Sequence, residues 1–329
     1  MGKENRVRVL KTKLKNFVQR TAWNPVAWWF YKTCGRLSVH FGRIYGHAQF
    51  VRQSAERDGM IARVTAEIFP DLTVAYGPFK GLRYPSARSF ASALLPKLLG
   101  SYESELHPVL DEFLSNAYNT VIDIGCAEGY YAIGFALRLR HAAVYAFDTD
   151  SRAQELCVEM AKLNGVADRI HIGDFCDEEI LRSIPLGERA LILSDCEGYE
   201  GLLFNRKMAE FLVRHDLIIE AHDFIDIELS TKMRDAFANT HHIRSIKSMD
   251  DIGRAHASRY RELERYSTRD KCLILSERRP AIMEWLVMTS KEEKDDEYYP
   301  GAGVRTLNSG EQTMGRSERS TFPGGNLQG

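Results

Sequence analysis

Nothing in the 329-residue sequence approaches the ~20 consecutive apolar residues of a bilayer-spanning helix, and no secretory apolar core follows its start. Net charge is also missing. Lys and Arg number 44 against 45 Asp and Glu, a formal balance of −1, so a generally basic nucleic-acid surface is not expected. The six cysteines (Cys34, Cys126, Cys157, Cys176, Cys196, Cys272) form no C-x-x-C pair. Three of them fall in the expected core, which points to reduced thiols and a cytoplasmic location. There is no internal repeat. The G-x-G-x-x-G spacing of a pyrophosphate-binding loop is absent too.

What is present centres on Val121 to Tyr131, V-I-D-I-G-C-A-E-G-Y-Y. A short apolar run ends in a carboxylate, turns through two glycines spaced G-x-x-x-G, and opens a helical pattern. Ala127 takes the middle small position. It permits close approach, but an alanine does not readily adopt positive φ. Asp123, two residues before Gly125, is placed to meet a cationic group such as the methionine ammonium of S-adenosylmethionine (SAM). The helix N-terminus after Gly129 suits that ligand's carboxylate. Gly125, Cys126, Ala127, Gly129 and Tyr130 are therefore expected to line a SAM site with Asp123. A turn that binds nothing is the competing reading.

Further acid-bearing strand ends follow in order. Ala143–Phe147 delivers Asp148, 25 positions after Asp123, where a carboxylate can accept from ribose hydroxyls. Asp150 could accept from them instead, but two residues past the strand it also suits a cap for a helix starting near Ser151. Arg169–Ile172 runs into Gly173, Asp174 and Phe175, an acid for the adenine amino group and an aromatic for the purine face, although Asp174 alone equally suits a cap. Ala190–Ser194 delivers Asp195-Cys196-Glu197-Gly198-Tyr199-Glu200, and Asp216–Glu220 delivers Ala221-His222-Asp223. Continuous apolar runs suit central parallel strands, and ligands of such sheets bind beyond their carboxyl ends.

The run Asp195 to Glu200 resembles the D-V-E-G-x-E stretch of FkbM-type SAM-dependent methyltransferases. Gly100-Ser101-Tyr102-Glu103 is similar to that family's G-x-Y-E, and Ile219 to His222 to its fifth strand. The resemblance covers roughly residues 76 to 247. Asp148 stands where that family often has Glu, and Cys196 where it has Val. The resemblance implies an α/β, Rossmann-like methyltransferase fold: a mostly parallel seven-stranded sheet with an antiparallel last strand. It also implies O-methylation of a sugar, glycan or secondary-metabolite hydroxyl.

A hydroxyl is a weak nucleophile, so a base is expected beside it. His222 is the first candidate, and Glu197 and Asp195 follow. His241 and His242 read as structural. A divalent metal on Asp195, His222 and Asp223 is possible chemistry but not favoured, because no tight ligand spacing demands it. A hydride-transferring oxidoreductase sharing the sheet is disfavoured by the glycine spacing. A non-catalytic module holding a glycan or membrane through the N-terminus is the alternative.

Three regions are expected: a helical extension at 1–71, the SAM domain at 72–290 and a disordered polar tail at 291–329. Between residues 2 and 47 ten basic residues face only Glu4, interleaved with Phe17, Trp23, Trp28, Trp29, Phe30 and Tyr31. Packing of these aromatics on the catalytic domain is favoured over a peripheral membrane contact. A hairpin is expected across 72–84. A polar insertion at 248–270, shaping the acceptor site, should precede a last strand at Lys271–Ser276.

Overall fold

The computed structural model describes residue 21 and residues 24–90 and 92–292. The basic positions up to Arg20, Trp23 and the tail from residue 293 lie outside the described residues. A seven-stranded sheet runs in the order β3-β2-β1-β4-β5-β7-β6. Its strands are β1 (Thr120–Ile124), β2 (Ala143–Phe147), β3 (Ile170–Gly173), β4 (Ala190–Ser194), β5 (Asp216–Ala221), β6 (His241–Lys247) and β7 (Glu284–Ser290). The pairs among β1 to β5 are parallel, and β7 is antiparallel to both β5 and β6. This is the Rossmann-like methyltransferase arrangement.

The central strands are buried on both faces. Val121, Leu191, Leu193, Ile218, Trp285 and Val287 belong to one apolar layer. Their neighbours Ile122, Ile192, Leu217, Ile219, Leu286 and Met288 belong to the other. That two-sided burial is why the sequence shows continuous apolar runs rather than alternation.

The last strand is not where the sequence pattern put it. Lys271–Ser276 lies largely in a helix, Thr268–Ile274. Ser267 caps that helix, accepting from the Asp270 N–H, and its hydroxyl donates back to the Asp270 carboxylate. This reciprocal cap fixes the start of a helix whatever the β-propensity of the apolar residues beyond it. The strand is instead Glu284–Ser290, with Trp285 to Met288 fully buried.

The 72–84 turn closes by a single antiparallel bridge between Thr73 and Arg83. It carries Phe79 into the core, where the ring meets Tyr130, Tyr131 and Phe135 edge-on at 5.3, 5.7 and 5.3 Å. A Cβ on Gly134 would come within 2.5 Å of that ring, so the helix Tyr130–Arg138 needs its glycine for packing.

The first helix, α1 (Pro25–Ile68), is capped by the Asn24 side chain, which accepts from Val26 and Ala27 N–H groups. Its final turns join the core. Val64 and Thr65 are buried there, and Arg278 and Arg265 pair with Asp58 and Glu67 at 3.3 and 2.7 Å. Of the early aromatics expected to pack on the catalytic domain, Phe17, Trp23 and the Tyr31 side chain lie outside the described residues. Trp28, Trp29 and Phe30 are 52%, 67% and 57% exposed. No described helix is long and apolar enough to cross a membrane.

Candidate functional site

The carboxyl ends of β1, β2, β3 and β4 open onto one cavity of about 330 Å³. That is within the range of small-molecule sites. Its wall includes Gly125, Cys126 and Ala127 after β1, Asp148 after β2, Asp174 and Phe175 after β3, and Asp195 and Glu197 after β4. Tyr130, at the start of α2 (Tyr130–Arg138), faces it as well. Of the residues expected around SAM, only Asp123 and Gly129 stand behind the wall.

Asp123 is buried, and its Oδ2 accepts the Ala132 N–H at 2.9 Å while Oδ1 has no partner. Burial pushes this carboxyl up to about 8, helped by Asp195 and Asp148, so at neutral pH it is largely protonated. Asp123 therefore pins the helix start rather than presenting charge to the cavity.

The glycine loop is held by both neighbours of β1. Gly125 and Cys126 donate to the Phe147 carbonyl at 2.8 and 2.9 Å, and Asp195 donates to the Ile124 carbonyl at 2.9 Å. Ala127 adopts a φ of +48°, a conformation its residue type resists. Its N–H donates to Asp148 Oδ2 at 2.8 Å, which offsets part of that strain. Asp148 Oδ1 accepts the Asp150 N–H, and Asp150 caps the next helix as expected. A carboxylate has about four acceptor positions, so Asp148 keeps two for a ligand.

The opposite wall was not legible in sequence. Lys97 and Glu128 form an ion pair at 2.7 Å, with side chains 3% and 1% exposed. Ser89 and the Phe90 N–H also donate to Glu128. Burial by itself would raise Glu128, but Lys97 and these donors outweigh it and hold the carboxyl low. The Lys97 ammonium lies 4.8 and 5.3 Å from the centres of the Tyr102 and Tyr130 rings on the cavity wall. The available signal was a lone lysine inside the apolar run Leu94–Leu99.

His222, Asp195, Glu197, Glu200 and Glu220 converge beside the β4 end. His222 is 2% exposed and lies off the cavity wall. Its Nε2 is 3.4 Å from Asp195 and 3.6 Å from Glu197, and its Nδ1 is 2.9 Å from Glu200. Burial opposes charge on His222, but Glu200, Asp195 and Glu197 outweigh it and raise its affinity for a proton. Burial also raises Asp195 and Glu220, each increased further by neighbouring carboxylates.

Asp223 turns away from this group and caps the helix Leu229–Phe237 through the Ser230 N–H and hydroxyl at 2.8 and 2.7 Å. His241 is structural, with Nε2 at 2.9 Å from the His215 carbonyl.

Behind the cluster, Arg279 binds Glu103, Glu220 and Glu277, and Arg254 pairs with Glu277 at 2.6 Å. Burial pushes Glu277 up to about 7. Glu103 makes no cap hydrogen bond. Its carboxylate accepts from the Tyr131 hydroxyl and Arg279. The 248–270 insertion supplies Arg254 to this network but no residue to the cavity wall.

The family model described as ribosomal protein L11 methyltransferase (PrmA) matches residues 108–186, less than half of the chain. That stretch carries the glycine loop, Asp148 and Asp174. No curated protein matches the sequence. Among solved structures, the chain is similar to a putative O-methyltransferase from Klebsiella pneumoniae, with 12% identity, 58% of this chain and 81% of that one covered, and a TM-score of 0.38. It is similar to precorrin-6y C5,15-methyltransferase from Geobacter metallireducens, with 11% identity, 56% and 88% covered, and 0.38. TrmN from Thermus thermophilus gives 16% identity, 56% and 49% covered, and 0.36.

Proposed function

We propose that this protein is a SAM-dependent methyltransferase acting on a hydroxyl of a sugar, glycan or secondary metabolite. The observation that carries the reading is a cavity at the carboxyl edge of the sheet, with acids from three successive strand ends on its wall. The donor set fits SAM. Asp148 retains acceptor positions for ribose hydroxyls. Asp174 and the half-exposed Phe175 ring are placed for the adenine edge and face, and Lys97 supplies a cation at the tyrosine-lined wall for a carboxylate.

When bound, SAM supplies a methyl group on a positive sulfonium, so the leaving group needs no acid. The protein's task is then to orient the acceptor and take its proton. Asp195 is the wall carboxylate next to His222, and both bind protons more strongly than usual. In this reading the acceptor proton passes to that pair, and Glu197, at the open side, orients the acceptor.

Calorimetric titration with SAM and, separately, NAD tests the reading. Saturable SAM binding without NAD binding is expected. Folded protein that ignores SAM would remove it. In that case the exposed Trp28 and Trp29 on α1, which follow the basic N-terminal stretch in sequence, favour a module that binds an anionic surface. Co-sedimentation with vesicles containing phosphatidylserine would then detect it.

A further inference from the structure

The acid–imidazole group beside the cavity holds more than a proton relay requires. Four carboxylates, those of Asp195, Glu197, Glu200 and Glu220, approach within 2.9–3.8 Å of the His222 ring nitrogens. The guanidinium of Arg279 is shared among Glu220, Glu103 and Glu277 and does not balance them. We propose that Asp195, Glu200 and His222 form a binding site for a divalent cation at the carboxyl ends of β4 and β5.

Each of the three offers one ligand atom within 4.8 Å of the others. Asp195 now faces Nε2 and Glu200 faces Nδ1, so a shared ion would draw one carboxylate round to the other's ring nitrogen. Two of the candidate atoms are buried and without a hydrogen-bond partner, Asp195 Oδ1 and His222 Nδ1. Nδ1 lies 2.9 Å from Glu200 Oε1, and Nε2 lies 3.4 Å from Asp195 Oδ1. A buried imidazole flanked by carboxylate oxygens offers the donor types that a cation takes.

Glu200 is prepared for the role. Its oxygens accept the Cys196 and Gly198 N–H groups at 2.9 and 2.8 Å, which fixes the carboxylate while leaving lone pairs free. The loop wraps around it through Glu197 and Gly198, both at positive φ. One imidazole and two carboxylates suit Mn²⁺ or Zn²⁺ better than Ca²⁺. Asp195 also lies on the cavity wall, so a cation held there would adjoin an entering hydroxyl and lower its pKa, with Asp195 and His222 then acting as ligands rather than as the proton acceptor. Only that last role rests on the methyltransferase reading. Cation binding does not.

The test is to strip the full-length protein with EDTA and titrate it with Mn²⁺ by calorimetry and by electron paramagnetic resonance, then repeat with Zn²⁺. One saturable site per chain is expected, weakened at least about tenfold in His222→Ala and in Asp195→Asn. Asp223→Asn, whose carboxylate caps a helix instead, should keep wild-type affinity. If His222→Ala fails to fold, Asp195→Asn decides, since that residue is partly exposed. The proposal is overturned if folded wild-type protein binds neither ion, or if both variants bind as wild type does. SAM titration of the stripped protein separates the two readings. SAM binding without Mn²⁺ or Zn²⁺ binding removes the cation site alone, and cation binding without SAM binding removes the methyltransferase alone.

Discussion

Gly125 is closed onto the backbone of Asp195, so that a Cβ added to the glycine would come within 1.8 Å of the Asp195 carbonyl oxygen. The glycine that ends β1 is thus required by the neighbouring strand's loop, with a φ of +85° as a further demand. Gly125→Ala is expected to lower stability by more than about 2 kcal/mol, since both backbone strain and a backbone clash are introduced. Gly165→Ala, at φ +69° but with open space around it, should cost only about 1 kcal/mol. Urea denaturation of both variants checks the contrast, and equal losses would show that the contact with Asp195 does not matter.

Asp148 orders the loop as well as facing the cavity. Asp148→Ala removes the acceptor for the Ala127 and Asp150 N–H groups and is expected to weaken SAM binding about tenfold or more. Ala127→Gly should do the opposite for stability, gaining about 1 kcal/mol by relieving the strain at φ +48°. Calorimetry for the first variant and thermal melting for the second are the measurements.

The Lys97–Glu128 pair is buried on both sides, so removing one partner leaves an uncompensated charge. Lys97→Met is expected to destabilise the protein by about 3–5 kcal/mol. Adding Glu128→Gln should recover much of the loss. A double variant no better than the single one would mean that the lysine acts through packing on Tyr102 and Tyr130 alone.

Asp123 gives a pH dependence with a definite sign. Its folded value, about 8, lies above its ordinary value near 3.8, so the folded state holds the proton more tightly. The associated stability is fully present below about pH 4 and is lost as pH rises through about 8. Asp123→Asn keeps an acceptor for the Ala132 N–H and carries no charge, so its melting temperature should vary less between pH 6 and 8.5 than that of the wild type. Parallel slopes for the two proteins would contradict this account.

The sequence by itself determined the sheet and its chemical edge. Strand-length apolar runs ending in Asp148, Asp174 and Asp195 can be read locally, because burial on both faces and a ligand beyond the strand ends each leave a pattern within a few residues. The last strand was misplaced because propensity in Lys271–Ser276 competes with a cap formed by Ser267 and Asp270, and the cap prevailed. Tertiary structure alone decided which acids line the cavity. Asp123, at a strand end like the others, turns behind the wall to an amide of the helix that follows its strand, whereas Glu200 returns through a loop to His222. Lys97 meets Glu128 only because separate segments are packed together. Strand ends are fixed by nearest-neighbour chemistry, but side-chain direction and charge pairing depend on which distant segments close over them.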